Sequence, residues 1–544
     1  MKKKPGGITA QSMAKGFAVL SAASIGVKIL SLLFVPVIRK LMGGSAGYQV
    51  YTSANQIYAF VYVIATAGLP VAISKTVTEF MSMGNPSAAR RSFRLARTVL
   101  AGIGIVLTAV LVLLAKPIAR ASGYSEAWLG IVVIAPNILI CSVLSAYRGY
   151  LQGLKNMTPT ATSQIVEQIV HLLVAIAAVF ILRGRGLAWA VAGASFGTVA
   201  GSVAALGIVI YYYTRSSNHM AAGNNAPAAS KAGTLPAQDY DTKYYLRLLA
   251  KYSIPITLSA AIQYGGTIID VFIVKSRLLH AGFAENEAAA MHGDLSAARQ
   301  LINVPTALVT ALCVSVLPII AGLYAERRVA EAKQKAQDSF RLCFLAAVPC
   351  SIALMVYAVQ IYGVLDFDRP FIMTAMAMSV LFMGIVHLQS SIMQSVNLLY
   401  QSTFFVGVGV LLKALLNYIL IGIPALNIYG AVISTYVSYL VPMVMNAFAL
   451  RKIKGISIRL LDPMVRPVIA STAMLLPSFP AYFLLRRLLS FAGAYVSNLI
   501  AFGIAALIAV VVYFVVLRFI GGLKKEDVES ISPRLARKLK MKDD

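Results

Sequence analysis

Apolar runs long enough to cross about 30 Å of hydrocarbon recur from one end of this 544-residue chain to the other. About fourteen can be drawn, the first near 16–38 and the last near 495–520, so the predicted fold is an all-α integral membrane protein. A soluble domain is about half apolar and about a quarter charged. Here 59% of residues are hydrophobic and 12% charged.

The net charge of +28 suggests a nucleic-acid binder at first sight. Such proteins gather their cations on one face, whereas most of these lie in short gaps between apolar runs, and nucleic-acid binding is set aside. The clusters are Lys2, Lys3 and Lys4; Arg90, Arg91, Arg94 and Arg97; Arg327, Arg328, Lys333 and Lys335; Arg451, Lys452 and Lys454; and the tail from Lys524 to Lys542. With the amino terminus inside, they fall on inner segments, as the positive-inside bias requires. The prediction is a multi-pass protein of the bacterial cytoplasmic membrane with both termini cytoplasmic. Cys141, Cys313, Cys343 and Cys350 all sit in apolar segments, where a free thiol acts as a small hydrophobe, and no metal framework or cofactor is implied.

A small, polar stretch centred on AAGNNAPAASKAG marks a linker. The predicted organisation is an N-lobe of six helices over 1–215, a cytoplasmic linker over 216–247 and a C-lobe of six helices over 248–450. Two further helices over 451–520 and a basic cytoplasmic tail over 521–544 complete the chain. The lobes look like repeats. LPVAISKTVTEF begins at 69 and LPIIAGLYAERR at 317, while SFRL occurs at 92 and again at 339, a nearly constant offset. Six helices per repeat leaves both in the same orientation, related by a pseudo-two-fold along the membrane normal, an arrangement that places a site near the midplane.

Ionisable residues inside helices cost at least about 2.5 kcal/mol on insertion scales and are functional candidates by default. Lys28 lies near the centre of the first run, too deep to reach either surface easily. Lys75 precedes Glu79 by four residues, where an ion pair on one helix face competes with a site role. Arg148 stands at the end of the fourth run, as an interfacial anchor or a cavity group. Glu167 and His171 share a face with Gln164 and Gln168, suited to a proton or cation relay or to a hydrogen-bonded helix seam. Asp270 has Lys275 within reach along its helix or takes a coupling cation, Na⁺ or H⁺. Arg299 has Asp294 as its neighbouring carboxylate, and Lys413 and Asn417 repeat the i,i+4 spacing. No nucleotide-binding loop, nucleophile elbow or zinc motif occurs, and no segment is large enough for a soluble catalytic domain. An enzyme is therefore not expected.

GYQVYTSANQIYAFVYVIATAGLPVAISK (47–75), RGYLQGLKNMTPTATSQIVEQIV (148–170) and ARQLINVPTALVTALCVSVLPIIAGL (298–323) resemble the MurJ and stage V sporulation protein B-like branch of the MOP superfamily of exporters. The resemblance implies two six-helix lobes rocking around a cationic cavity, with the last two helices forming a groove for a lipid tail. It implies a flippase for lipid II, the undecaprenyl-pyrophosphate-linked peptidoglycan precursor, acting as a monomer, alone or alongside cell-wall synthesis proteins. Export of another undecaprenyl-linked saccharide and cation-coupled multidrug antiport are the alternatives. Two cavity arginines of the family correspond to Lys28 and Arg299. Two others fall at Phe34 and about Val61, which raises the question of whether Lys75 and Arg148 replace them.

Overall fold

Hydrocarbon offers a backbone no hydrogen-bond partners, so an apolar run must satisfy its N–H and C=O groups internally, and a helix does this within one segment. In the computed structural model, which describes residues 13–154, 156–222, 241–456 and 458–522, the described residues form helices and no strand. Among the described residues, twelve helical segments are long and apolar enough to cross a membrane. Helices also occupy the remaining two predicted spans, at Met13–Leu41 and Glu285–Ala325.

The chain forms two compact units, residues 1–293 with 421–424, and residues 294–420 with 425–544. The first contains α1 (Met13–Leu41), α2 (Ser45–Thr66), α3 (Leu69–Ser82), α4 (Pro86–Ala121), α5 (Trp128–Ile134), α6 (Pro136–Gly153), α7 (Thr158–Leu182), α8 (Leu187–Ala222) and α9 (Thr242–His280). The unit boundary, between Gly293 and Asp294, falls inside α10 (Glu285–Ala325). The second contains the rest of α10 with α11 (Val329–Val356), α12 (Ala358–Leu365), α13 (Pro370–Met376), α14 (Ser379–Ser395), α15 (Leu399–Leu420), α16 (Tyr429–Lys454), α17 (Leu461–Leu488) and α18 (Ala494–Phe519). The compact division therefore differs from a cut at the 216–247 linker, because α9 packs against α2, α3 and α4 of the first unit. Most of that linker and nearly all of the 521–544 tail lie outside the described residues.

Local chemistry sets the helix breaks of the first unit. Gly68 separates α2 from α3, and a Cβ there would stand 2.1 Å from the Ser253 carbonyl oxygen. Its N–H donates to Thr257 Oγ1 at 3.1 Å, so the break is also a point of close approach to α9. Asn85 caps α4 by accepting from the Ala88 N–H at 3.0 Å. At 1.5 Å per residue the 36 residues of α4 extend about 54 Å, well past about 30 Å of hydrocarbon. The surplus of about 24 Å is more than four turns, and the first 12 residues of the helix carry the four clustered arginines. There Phe93 packs against Tyr147, Tyr150 and Tyr213 with ring centroids 4.7–5.3 Å apart, and Arg97 donates to the Tyr147 hydroxyl at 3.0 Å.

Where α9 ends, Lys275 donates to Glu285 at 2.8 Å and to the Gly123 carbonyl, and its ammonium stands over the Tyr124 ring. Lys275 is buried while the Glu285 side chain is 75% exposed. The lysine holds the Glu285 carboxyl below its ordinary range. This contribution to stability is therefore present above the unfolded carboxylate value near pH 4.3 and fades as the pH falls through the lowered value. In thermal unfolding, Glu285→Gln is expected to cost under about 1 kcal/mol. Lys275→Met should cost more, because the buried ammonium also donates to the Gly123 carbonyl and stands over the Tyr124 ring, and both contacts are lost with it.

In the second unit, the repeated SFRL segment sits in a comparable environment, with Ser339 and Phe340 buried as Ser92 and Phe93 are in the first. Helices α17 and α18 are fastened to α11 and α12 by polar contacts. The Tyr357 hydroxyl donates to Ser478 at 2.7 Å, Tyr513 to the Leu345 carbonyl at 2.9 Å, and Asn498 Nδ2 to the Gln360 carbonyl at 3.3 Å.

Candidate functional site

The first unit contains a cavity of about 310 Å³ lined by Val27 and Lys28 of α1, Arg148 of α6, Thr198 of α8, and Gln164, Glu167, Gln168 and His171 of α7. The four α7 residues follow the i, i+3, i+4, i+7 pattern of one helix face. Lys28 is exposed and supplies a cation to the lining.

Arg148 reaches the cavity because α6 lies backbone-close to α3 on its other side. Cβ atoms at Gly149 and Gly153 would stand 2.7 Å from the Pro70 carbonyl oxygen and 2.8 Å from that of Ser74. From this position the guanidinium donates to Ser163 Oγ at 2.9 and 3.0 Å and to Glu167 Oε2 at 2.8 Å. The side chains of the pair are 15% and 28% exposed. Arg148 is thus a cavity group bonded to α7, where its sequence position also allowed an interfacial anchor.

The second oxygen of Glu167 ends a chain of donors that all point toward it. Asn137 Nδ2 donates to the Tyr58 hydroxyl (2.9 Å), Tyr58 to Cys141 Sγ (3.9 Å), Cys141 to Ser202 Oγ (3.4 Å), and Ser202 to Glu167 Oε1 (3.1 Å). Cys141, which the sequence presents as a small hydrophobe, serves here as a polar link. His171 Nε2 lies 3.4 Å from Thr198 Oγ1, and its ring is 5.1 Å from that of Phe34. The position where the family resemblance places an arginine therefore carries a buried aromatic packed at a tilt against a cavity histidine.

A stripe of glycines, absent from the residues that sequence singled out, brings α7 and α8 together. Gly193, Gly197 and Gly201 recur every fourth residue. Their Cβ atoms would stand 2.9 Å from the Ala178 backbone, 2.5 Å from Ala175 Cβ and 2.4 Å from the Glu167 carbonyl oxygen. Small residues at this spacing let helix backbones approach in a membrane. The signal was present in GASFGTVAG (193–201), and the close approach is what allows Thr198 and Ser202 to reach His171 and Glu167.

The other candidates lie elsewhere. The Lys75 ammonium stands 3.9 Å from the centroid of the Tyr252 ring. The Tyr252 hydroxyl lies 3.5 Å from Glu79 Oε1, so the tyrosine mediates between the two charges that helix spacing would pair directly. Asp270 is fully buried in α9, and Lys275 bonds to Glu285 and Gly123 as described. In the second unit Arg299 is half-buried on α10. Asp294, its neighbouring carboxylate, accepts from Arg369 at 3.2 Å. Lys413 and Asn417 are buried on α15, and Asn417 accepts from Ser434 of α16.

Apolar helices in this order define a multi-pass membrane protein. A solved structure of the lipid II flippase MurJ in an inward closed conformation superposes with a TM-score of 0.63 over 92% of this chain and 99% of that one, at 13% identity. An inward-facing multidrug resistance MATE family transporter of the MOP superfamily gives 0.62 over 82% and 99%, also at 13% identity. The chain belongs to the polysaccharide biosynthesis protein family, whose profile matches residues 13–324. It is 24% identical to stage V sporulation protein B of Bacillus subtilis (strain 168) over 83% of this chain and 86% of that protein. It is 21% identical to the lipid II flippase MurJ of the same organism over 82% and 84%.

Proposed function

We propose that this protein is a flippase that carries lipid II across the bacterial cytoplasmic membrane by alternating access. The observation that carries the reading is the cavity in which Lys28 and Arg148 stand together among apolar helices. A pyrophosphate-linked headgroup is anionic at every pH of interest, and fixed cations in a polar cavity are the chemistry that lets it leave water. The relationship to the lipid II flippase MurJ supports the same class of cargo. The polyprenyl tail is too long to enclose and would stay in lipid along α17 and α18, whose Leu476, Phe483, Leu507 and Phe514 are exposed. By the family resemblance Arg299 would contribute a further cation.

Export of another undecaprenyl-linked saccharide uses the same pyrophosphate anchor, and the family relationship fits it equally. A drug antiporter would call for free acidic groups, whereas the carboxylate of this cavity is engaged by Arg148. The test is rescue of cells depleted of their own lipid II flippase, paired with purified protein in liposomes containing lipid II and a reagent confined to the outside that labels its headgroup. Rescue and outside labelling of lipid II are the expected results. Protein that reaches the membrane yet neither rescues nor exposes lipid II would overturn the substrate assignment.

A further inference from the structure

The cavity contains more counter-charge than an anion site needs. Lys28, Arg148 and Glu167 all line it, and the carboxylate occupies the guanidinium at 2.8 Å, the approach a phosphate oxygen would make. We infer that Glu167 is a built-in stand-in for the substrate's phosphate, holding Arg148 while the site is empty and yielding it when the anionic headgroup arrives. This rests on the anionic-headgroup reading above and adds the residue that sets affinity and release.

Three features make the exchange feasible. Arg148 keeps two hydrogen bonds to Ser163, so the guanidinium stays oriented when the carboxylate leaves. Glu167 keeps the Ser202 hydroxyl on its other oxygen, and behind it the file of donors through Cys141 and Tyr58, so the displaced carboxylate remains hydrogen-bonded. The pair is only partly buried, which leaves both partners within reach of a ligand in the cavity. An isolated guanidinium in a low-dielectric site is costly, and an internal partner removes that cost from every passage made without cargo. The same partner competes with the cargo, so it lowers affinity and hastens release. Glu167 is in this sense a positioning residue that acts on the substrate through Arg148.

The experiment is equilibrium binding of lipid II, with inorganic pyrophosphate as a second ligand, to the full chain in nanodiscs, followed by flipping in liposomes. Glu167→Gln is expected to bind either ligand about tenfold more tightly than wild type and to flip more slowly, with KM and kcat falling together. In an Arg148→Gln background the same change should have no effect on binding. A variant that merely loosened the fold would bind more weakly, so the direction of the change separates the two explanations. If Glu167→Gln does not fold, Glu167→Asp, which keeps the charge but draws it back by one methylene, should show intermediate tightening. Unchanged or weaker binding of lipid II by these variants, with wild type binding it normally, overturns the stand-in and leaves the flippase reading intact. Tightening toward pyrophosphate alone, with no lipid II bound by any form, supports the stand-in and overturns the substrate. No binding of either ligand by any form overturns both.

Discussion

Lys28→Ala is expected to reach the membrane at wild-type levels and to lose transport by about 100-fold, which corresponds to about 3 kcal/mol. The two halves of this result have separate causes. Lys28 is exposed, so removing it leaves no buried group stranded and folding has little to lose. Transport loses a charge-assisted contact to phosphate, and such contacts are the strong ones. Lipid II flipping in liposomes, normalised to reconstituted protein, measures the effect. Lys28→Arg should recover part of the activity if charge alone matters, and none if the site requires a compact ammonium. Full activity in the alanine variant would remove Lys28 from the site. By the family resemblance, Arg299→Ala is also expected to lose transport.

Gly197→Val is expected to prevent recovery of folded protein. The new side chain would begin 2.5 Å from Ala175 Cβ and 2.6 Å from the Ala175 backbone nitrogen, and backbone does not move aside as a flexible side-chain end does. Overpacking a close interface typically costs about 1–3 kcal/mol, and contacts this short with backbone lie at or beyond the upper end. Gly207 of the same helix supplies the control. A Cβ there meets nothing within 4 Å, so Gly207→Ala should be neutral or add up to about 1 kcal/mol through helix propensity. Size-exclusion profiles and thermal unfolding in detergent decide the matter, and a monodisperse Gly197→Val protein with wild-type stability would refute the close-packing argument.

The spans were legible because hydrophobicity over about 20 residues is a strong and redundant signal. Their internal breaks were not. The interruption between α2 and α3 at Gly68 depends on Ser253 and Thr257, residues far away in sequence, and a hydropathy window averages across it. Within the candidate site, the face formed by Gln164, Glu167, Gln168 and His171 could be read from its spacing, since a helix puts these positions on one side whatever surrounds it. The partners that give the face its chemistry were hidden. Nothing in local sequence says that Arg148 turns toward Ser163 and Glu167, or that Lys75 meets an aromatic ring from α9 in place of Glu79. Such contacts are set by how helices pack, and that packing is governed in part by the glycine stripe at 193–201.

The ion pair between Arg148 and Glu167 has an electrical consequence. A membrane voltage acts on net charge, with about 2.3 kcal/mol per elementary charge for every 100 mV crossed. With its guanidinium and carboxylate joined, the empty site offers the field little beyond the single charge of Lys28. Once an anionic headgroup displaces the carboxylate, the charge within the cavity changes and the field acts on it differently. An interior-negative potential would then act with opposite sign on the cargo-bearing passage and on the empty one, favouring one direction for each.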